Sequence, residues 1–271
     1  MNDFDKIKSF WNTRPCNLNH SNKEVESKEY FDEVEAKKYK VEPHIPAFAE
    51  YEKWNGKTIL EIGCGLGTEA INFARAGANY YGIDISEKSV ELCKKRFSVY
   101  GLNGTVQVGN AENMKDIFPD DHKFDLIWAF GSIHHTKNPS NVINEIKRLL
   151  KPDGELRMMV YSRISYKLFW IMKETNQWDM SKINEIIPMY SEAQTGCPYT
   201  YSYTFDEVKE LLQGFNVYDI RKDHIFTYSI PEYKNHVYVL EDCWKNVSDK
   251  EMRTLEQELG WHTLVKASLK L

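Results

Sequence analysis

The chain has 271 residues, 42% of them hydrophobic and 28% charged, with a formal net charge of −5. That length can bury a substantial core in one elaborated domain, and the acidic balance argues against the basic footprint of a nucleic-acid binder. No apolar run reaches the roughly 18 residues of a membrane span, the opening MNDFDKIKSFWN lacks the pattern of a secretory signal, and the five cysteines, Cys16, Cys64, Cys93, Cys197 and Cys243, lie far apart without CxxC spacing, so a cytoplasmic protein with packing cysteines is expected.

In chain order, residues 1–50 form an aromatic and charged segment in which EYFDEVEAKKY is predicted helical, with Pro43 and Pro46 breaking it. KTILEIG reads as a first strand, followed by a helix over 68–76 from the spacing of Ala70, Ile71, Phe73 and Ala74. YYGID is a second strand, and Ser86 caps a helix running towards Tyr100. TVQVG is a third strand and FDLIWAF a fourth, and the helix VINEIKRLL and a KPDG turn lead to a fifth, ELRMMVY. This alternation predicts βαβ units on a parallel sheet.

Residues 162–203 are rich in Trp, Met and Tyr, after which Thr204 caps the helix TFDEVKELLQGF. FNVYDIR is a sixth strand and GWHTLVKASL a last, separated by 223–258 with a helix near 249–259. If the last two strands pair antiparallel, both insertions leave the carboxyl ends of strands, where open α/β sheets bind ligands. The expected architecture is therefore α/β, a doubly wound Rossmann-like seven-stranded sheet with an antiparallel last strand. It is read as one domain over 1–271, with a cap at 1–50, a cofactor core at 56–160, and lid insertions at 162–203 and 223–258.

The loop LEIGCGLGTEA places Gly63, Gly65 and Gly67 at GxGxG spacing, with Thr68 where a dinucleotide fingerprint of the GxGxxG type needs its third glycine. Glycines there let the chain turn sharply and a ligand approach the backbone. Asp84 ends the second strand, where a carboxylate can accept from both hydroxyls of a ribose, and the pair points to an adenosine moiety. In order, TILEIGCGLG, GIDIS, VGNAENM, FDLIWAFGSIHHT and LLKPDGEL resemble the class I S-adenosylmethionine-dependent methyltransferases, especially the small-molecule group that includes ubiquinone and menaquinone methyltransferases. The resemblance is close over about 56–160 and loose at the edge strands.

It implies S-adenosylmethionine as cofactor, with Glu61 ordering the loop near the methionine amino group and Gly63 contacting that end. Asp84 would hold the ribose, Ile85 the adenine face, and Asn110, where the family usually has an acid, the adenine amino group through its amide oxygen. Ala111 and Glu112 would lie nearby, with Phe130 and Gly131 flanking the methionine. The LKPDG turn stands where the family has LKPGG.

Methyl transfer is an in-line displacement, and a hydroxyl acceptor benefits from a base. His134 and His135, just past the fourth strand, are the candidate catalytic residues, since imidazole has the right pKa for a neutral-pH base. Candidate substrate residues are Arg14 and His20 in the N-terminal segment, Arg163, His224, and Tyr199, Tyr201 and Tyr203, whose spacing of two puts the rings on one face of an extended segment. His262, like Arg163 and His224, stands close to a strand end and could complete a polar site, His44 follows the N-terminal helix in EPHIPAF, and Arg157 inside an apolar strand is unusual. No metal site is expected, because the histidines show no HxxxH spacing and no paired carboxylates accompany them.

The expected activity is methyl transfer to an O or N atom of a small molecule, and Arg14, Arg163 and the histidines hint at a carboxylate- or phosphate-bearing one. A non-catalytic S-adenosylmethionine-binding regulator and an NAD-dependent oxidoreductase are the alternatives. The expected partner is a small-molecule substrate, with no nucleic acid and no membrane; one chain leaves the oligomeric state open.

Overall fold

The computed structural model describes residues 2–190 and 196–270. Three helices, α1 (Asp3–Thr13), α2 (Lys28–Val41) and α3 (His44–Ala49), precede the sheet. The core follows as β1 (Thr58–Ile62), α4 (Thr68–Arg75), β2 (Asn79–Asp84), α5 (Glu87–Tyr100), β3 (Thr105–Val108), β4 (Phe124–Phe130), α6 (Pro139–Leu149) and β5 (Leu150–Ser162). The chain continues through α7 (Tyr166–Thr175), α8 (Ile183–Tyr190), β6 (Ser202–Tyr203) and α9 (Phe205–Leu211). It ends with β7 (Phe215–Asp223), α10 (Ile230–Lys234), α11 (Asp249–Leu259) and β8 (His262–Leu269).

The strand order is β3-β2-β1-β4-β5-β8-β7, with β6 as a short parallel addition to β5. Strands β1 to β5 are parallel, and β8 runs antiparallel to both β5 and β7. The doubly wound, Rossmann-like sheet therefore has its antiparallel last strand, plus one two-residue strand that the sequence pattern was too short to show. Alternating residues serve opposite faces: Leu60, Ile62 and Ile127 pack into one apolar layer, and Ile59, Leu126 and Trp128 into the other. Burial on both faces is why these strands read as continuous apolar runs.

Three local features differ from the sequence reading. The KPDG turn lies inside β5 as a bulge, because Phe124 pairs with Leu150 but Leu126 already with Glu155. Pro46 does not stop a helix but sits in the first turn of α3, where its missing N–H costs nothing. The segment before α2 contains a further helix, α1, whose first turn is capped by the Asn2 side chain accepting from the Asp5 N–H.

Two buried arginines fasten the N-terminal helices to this frame. Arg157 of β5, fully buried, donates to the last carbonyls of α3 at Phe48 and Ala49 and pairs with Glu50 and Glu155. Arg96 of α5 donates to Thr68 Oγ1 at 2.8 Å and to the Phe31 carbonyl at 3.1 Å, and pairs with Glu35. An arginine in an apolar strand is thus a helix C-cap reached from the sheet.

Candidate active site

Where β1 and β4 diverge, the carboxyl ends of the strands open a crevice, and the glycine loop forms its base. Gly63 has φ +80°, and a Cβ there would come within 2.5 Å of the Ser132 Cβ, so only glycine fits. Ser132 closes the crossing by donating from Oγ to the Ile62 carbonyl at 2.6 Å. Asp84 then ties the loop to β2: its carboxylate accepts from the Gly65 N–H at 2.9 Å and the Ser86 N–H at 2.8 Å. Burial raises its pKa, and the backbone donors at Ser86, Gly65 and Ile85 draw it partly back.

A cavity of about 350 Å³ lies above this loop, the size of a small-ligand pocket. Nine of the residues inferred from the resemblance line it: Gly63, Gly65, Asp84, Ile85, Asn110, Ala111, Glu112, Phe130 and Gly131. The Asn110 amide oxygen already accepts from the Glu112 N–H at 3.0 Å and keeps a second lone pair. Glu112 in turn accepts from the backbone of Lys137 and Asn138, pinning the loop after β4 to the cavity rim.

Two expected residues stand back from the cavity. Gly67, with φ +77°, is required instead by packing: a Cβ would meet the Cys93 Sγ at 2.6 Å, so the residue lets α4 close on α5. Glu61 lies under the floor, where Tyr80 donates to it at 2.6 Å, and burial, reinforced by the nearby Glu69, raises its pKa well above the usual range. It acts on the loop from below.

The two histidines separate. His135 lines the cavity, edge-on to Trp11 with ring centroids 5.2 Å apart. Its Nδ1 lies 3.0 Å from the Tyr199 carbonyl, and a carbonyl only accepts, so this contact places the proton on Nδ1 and makes Nε2 the basic nitrogen. His134 is fully buried behind it, packed on Tyr161 with centroids 3.9 Å apart, and does not reach the cavity. Burial drives its pKa well down, and neither ring nitrogen has a hydrogen-bond partner among the described residues. The catalytic expectation narrows to His135.

The inferred substrate residues fall elsewhere, because side chains set by local spacing were drawn into other contacts. Arg14 is exposed at the end of α1, its guanidinium 5.1 Å from the Phe10 ring. His20 packs against Tyr233, and burial lowers its pKa to about 3. Arg163 pairs with Glu207 at 2.6 Å and lines, with Tyr201 and Tyr203, a separate cleft of about 520 Å³ that shares no lining residue with the cofactor cavity. Tyr199 stacks beside Tyr201 with centroids 6.2 Å apart, so those two rings do share a side, but neither lines the cavity.

The roof also differs from the expectation. No described residue of 162–203 or 223–258 lines the cavity; α1 covers it with Phe4, Ile7 and Trp11. Asn12 of α1 accepts from Ser86 Oγ at 3.0 Å, Lys8 pairs with Glu87 and Asp3 with Lys137, which seats the helix across the start of α5 and the loop after β4. The signal was present in the sequence, since Phe4, Ile7 and Trp11 recur at helical spacing. Met159 and Tyr161 of β5 complete the apolar wall.

At the far wall, His44, His224 and His262 cluster with ring centroids 4.6–5.5 Å apart, and Glu42 joins them. Burial depresses His44 and His224 to about 3 and holds His262 well below its ordinary value, so all three rings are neutral near pH 7. Oxygen and nitrogen atoms of Glu42, His224 and His262 lie within 4.8 Å of one another, the dimensions of a metal site. The expectation of no metal site rested on spacing along the chain, and spacing could not see three residues brought from separate elements.

Comparison with known proteins follows this geometry. The family described as a methyltransferase domain matches residues 53–223. The ubiquinone biosynthesis O-methyltransferase of Actinobacillus pleuropneumoniae serotype 5b (strain L20) is 30% identical over 169 residues, covering 57% of this chain and 72% of its own. The 27-O-demethylrifamycin SV methyltransferase of Amycolatopsis mediterranei (strain S699) is 38% identical over 104 residues, 38% of each chain. Among solved structures, magnesium protoporphyrin IX methyltransferase from Synechocystis PCC 6803 with bound SAH has a TM-score of 0.61 at 15% identity over 97% of this chain and 98% of that one, a likeness of fold.

Proposed function

We propose an acceptor class and a set of working residues for this chain, which belongs to the methyltransferase-domain family and is a class I S-adenosylmethionine-dependent methyltransferase. Its cofactor is S-adenosylmethionine, and the nicotinamide-dependent and non-catalytic alternatives fall away. The acceptor is an oxygen atom of a small hydroxyl compound with an apolar body. The observation that carries this reading is His135, an imidazole lining the cavity whose Nδ1 is held by the Tyr199 carbonyl and whose neighbours in the lining include Trp11, Phe130, Met159 and Tyr161. The O-methyltransferase name of the Actinobacillus relative supports oxygen over nitrogen. Neither Arg14 nor Arg163 lines the cavity, so those two residues give no support to an acidic acceptor.

The donor set fits the cofactor. Asp84 offers a half-buried carboxylate to a ribose diol, Ile85, Asn110, Ala111 and Glu112 frame a flat heterocycle, and Gly63, Phe130 and Gly131 border the methionine end. When bound, the cofactor supplies an electrophilic methyl group on a sulfonium. His135 takes the proton from the acceptor hydroxyl as the new O–C bond forms and the S–C bond breaks, with the electron pair retained by sulfur. Positioning in such a pocket contributes about 7–11 kcal/mol and a base typically another 10²–10⁴ in rate.

The reading is tested by turnover with a panel of phenols, aliphatic alcohols, amines and carboxylates, scored by S-adenosylhomocysteine formed. Activity confined to hydroxyl compounds supports it. Activity confined to amines or carboxylates overturns the acceptor class and leaves the cofactor standing.

A further inference from the structure

We infer that Glu42, His224 and His262 bind one divalent ion of the zinc class at the edge of the cofactor cavity, with a coordination position open to the acceptor. Three protein ligands and a fourth position left for water or substrate is the pattern of catalytic zinc. The ligands come from the C-cap of α2, the residue after β7 and the first residue of β8, so rigid elements hold them. Glu42 Oε1 already lies 3.7 Å from His262 Nε2, against about 3.4 Å for two ligands bound tetrahedrally at ordinary zinc distances. Both residues line the cavity, which is where the open position would face.

The surroundings match a ligand set as well. His262 presents Nε2 to Glu42 while its Nδ1 lies 3.1 Å from His44 Nε2, and His44 Nδ1 lies 3.8 Å from Asp223 Oδ1. A carboxylate and a second group that orient the ring through its far nitrogen are the usual support of a metal-bound imidazole. His224 holds φ +68°, a left-handed backbone that costs a non-glycine residue about 1 kcal/mol or more and persists only where the surroundings impose it. His224 and His262 are buried, with the half-buried Glu42 beside them, so the two imidazoles and the carboxylate share a space partly withdrawn from water.

The role of the ion rests on the methyl-transfer reading above, whereas its binding does not. Coordination of the acceptor hydroxyl lowers its pKa. The proton passes to His135 or to solvent, the oxygen forms a bond to the methyl carbon as the S–C bond breaks and its electron pair stays on the departing sulfur, and no redox change is involved.

Chelator-treated full-length protein is titrated with Co²⁺, the visible absorption band is followed, and Zn²⁺ is then added in competition. The expected result is one tightly bound equivalent displaced by Zn²⁺. His224→Asn removes a ligand with a residue that tolerates the left-handed backbone, and Glu42→Gln removes the charge at a helix cap. Each weakens binding by more than the roughly 10–100-fold expected for His44→Asn, which removes only the group orienting His262. S-Adenosylhomocysteine stabilisation is measured on the same proteins. Absence of stoichiometric binding, or binding indifferent to both ligand variants in proteins that S-adenosylhomocysteine still stabilises, overturns the site. Ion binding without any stabilisation by S-adenosylhomocysteine keeps the site and overturns the cofactor reading instead.

Discussion

The floor of the cavity and its far wall are assembled differently. The floor, from Gly63 to Glu112, comes from consecutive loops after β1, β2 and β3, each placed by the strand before it. The far wall takes Trp11 from α1, Glu42 from the end of α2, His135 from the loop after β4 and His262 from β8. A floor built from strand ends inherits its geometry from sheet hydrogen bonds. A wall built from distant elements depends on how those elements dock, which is the work of Arg157, Arg96 and the α1 contacts.

Substitutions can break this contrast. The largest effect is expected at His135→Ala, which should lower kcat by about 10²–10⁴ while the thermal shift with S-adenosylhomocysteine is retained. An unchanged kcat would mean that positioning, or another group, carries the chemistry. Next, Arg157→Met should cost about 2–3 kcal/mol of stability, because the buried Phe48 and Ala49 carbonyls lose their donor, while Glu50 and Glu155 keep Lys266 and Lys53 as partners. Chemical denaturation measures this; if cofactor binding disappears with the stability, floor and wall are not separable.

On the floor, Asp84→Ala should abolish the roughly 2.7 kcal/mol of stabilisation that a ligand at 100 times its dissociation constant provides, read as a shift of several degrees in Tm. A full shift in that variant would remove Asp84 from the cofactor site. The smallest effect is a pH dependence at Glu61. Its folded-state pKa is raised by burial, so between the ordinary value of 4.5 and that raised value the folded protein binds the proton more tightly than the unfolded chain. Stability held below pH 4.5 is therefore lost as the pH rises. Glu61→Gln, which can still accept from Tyr80, should lose this slope of up to about 1.4 kcal/mol per pH unit, and parallel unfolding curves at pH 5 and 7 would refute it.

Much of this was legible before the structure. The glycine loop, Asp84 and the strand ends could be read because short-range patterns, period two in strands and fixed offsets in loops, determine where each side chain points. The same reasoning named His135 but could not separate it from His134, since both follow β4 and only packing against Tyr161 sends one ring inward. It read 1–50 as a cap and the two insertions as lids, because those insertions leave the carboxyl ends of strands, and it did not use the apolar spacing of Phe4, Ile7 and Trp11.

What the amino-acid sequence determined alone was the parallel core, its cofactor loop and the acid that ends β2, all products of local hydrogen bonding and hydrophobic period. Tertiary structure alone decided that Arg157 caps α3, which face of α1 meets the cavity, that Arg163, Tyr201 and Tyr203 line a different cleft, and that Glu42, His44, His224 and His262 meet. Those outcomes depend on contacts between residues far apart in the chain, whose partners are selected by the docking of whole elements and leave no periodic trace in the sequence.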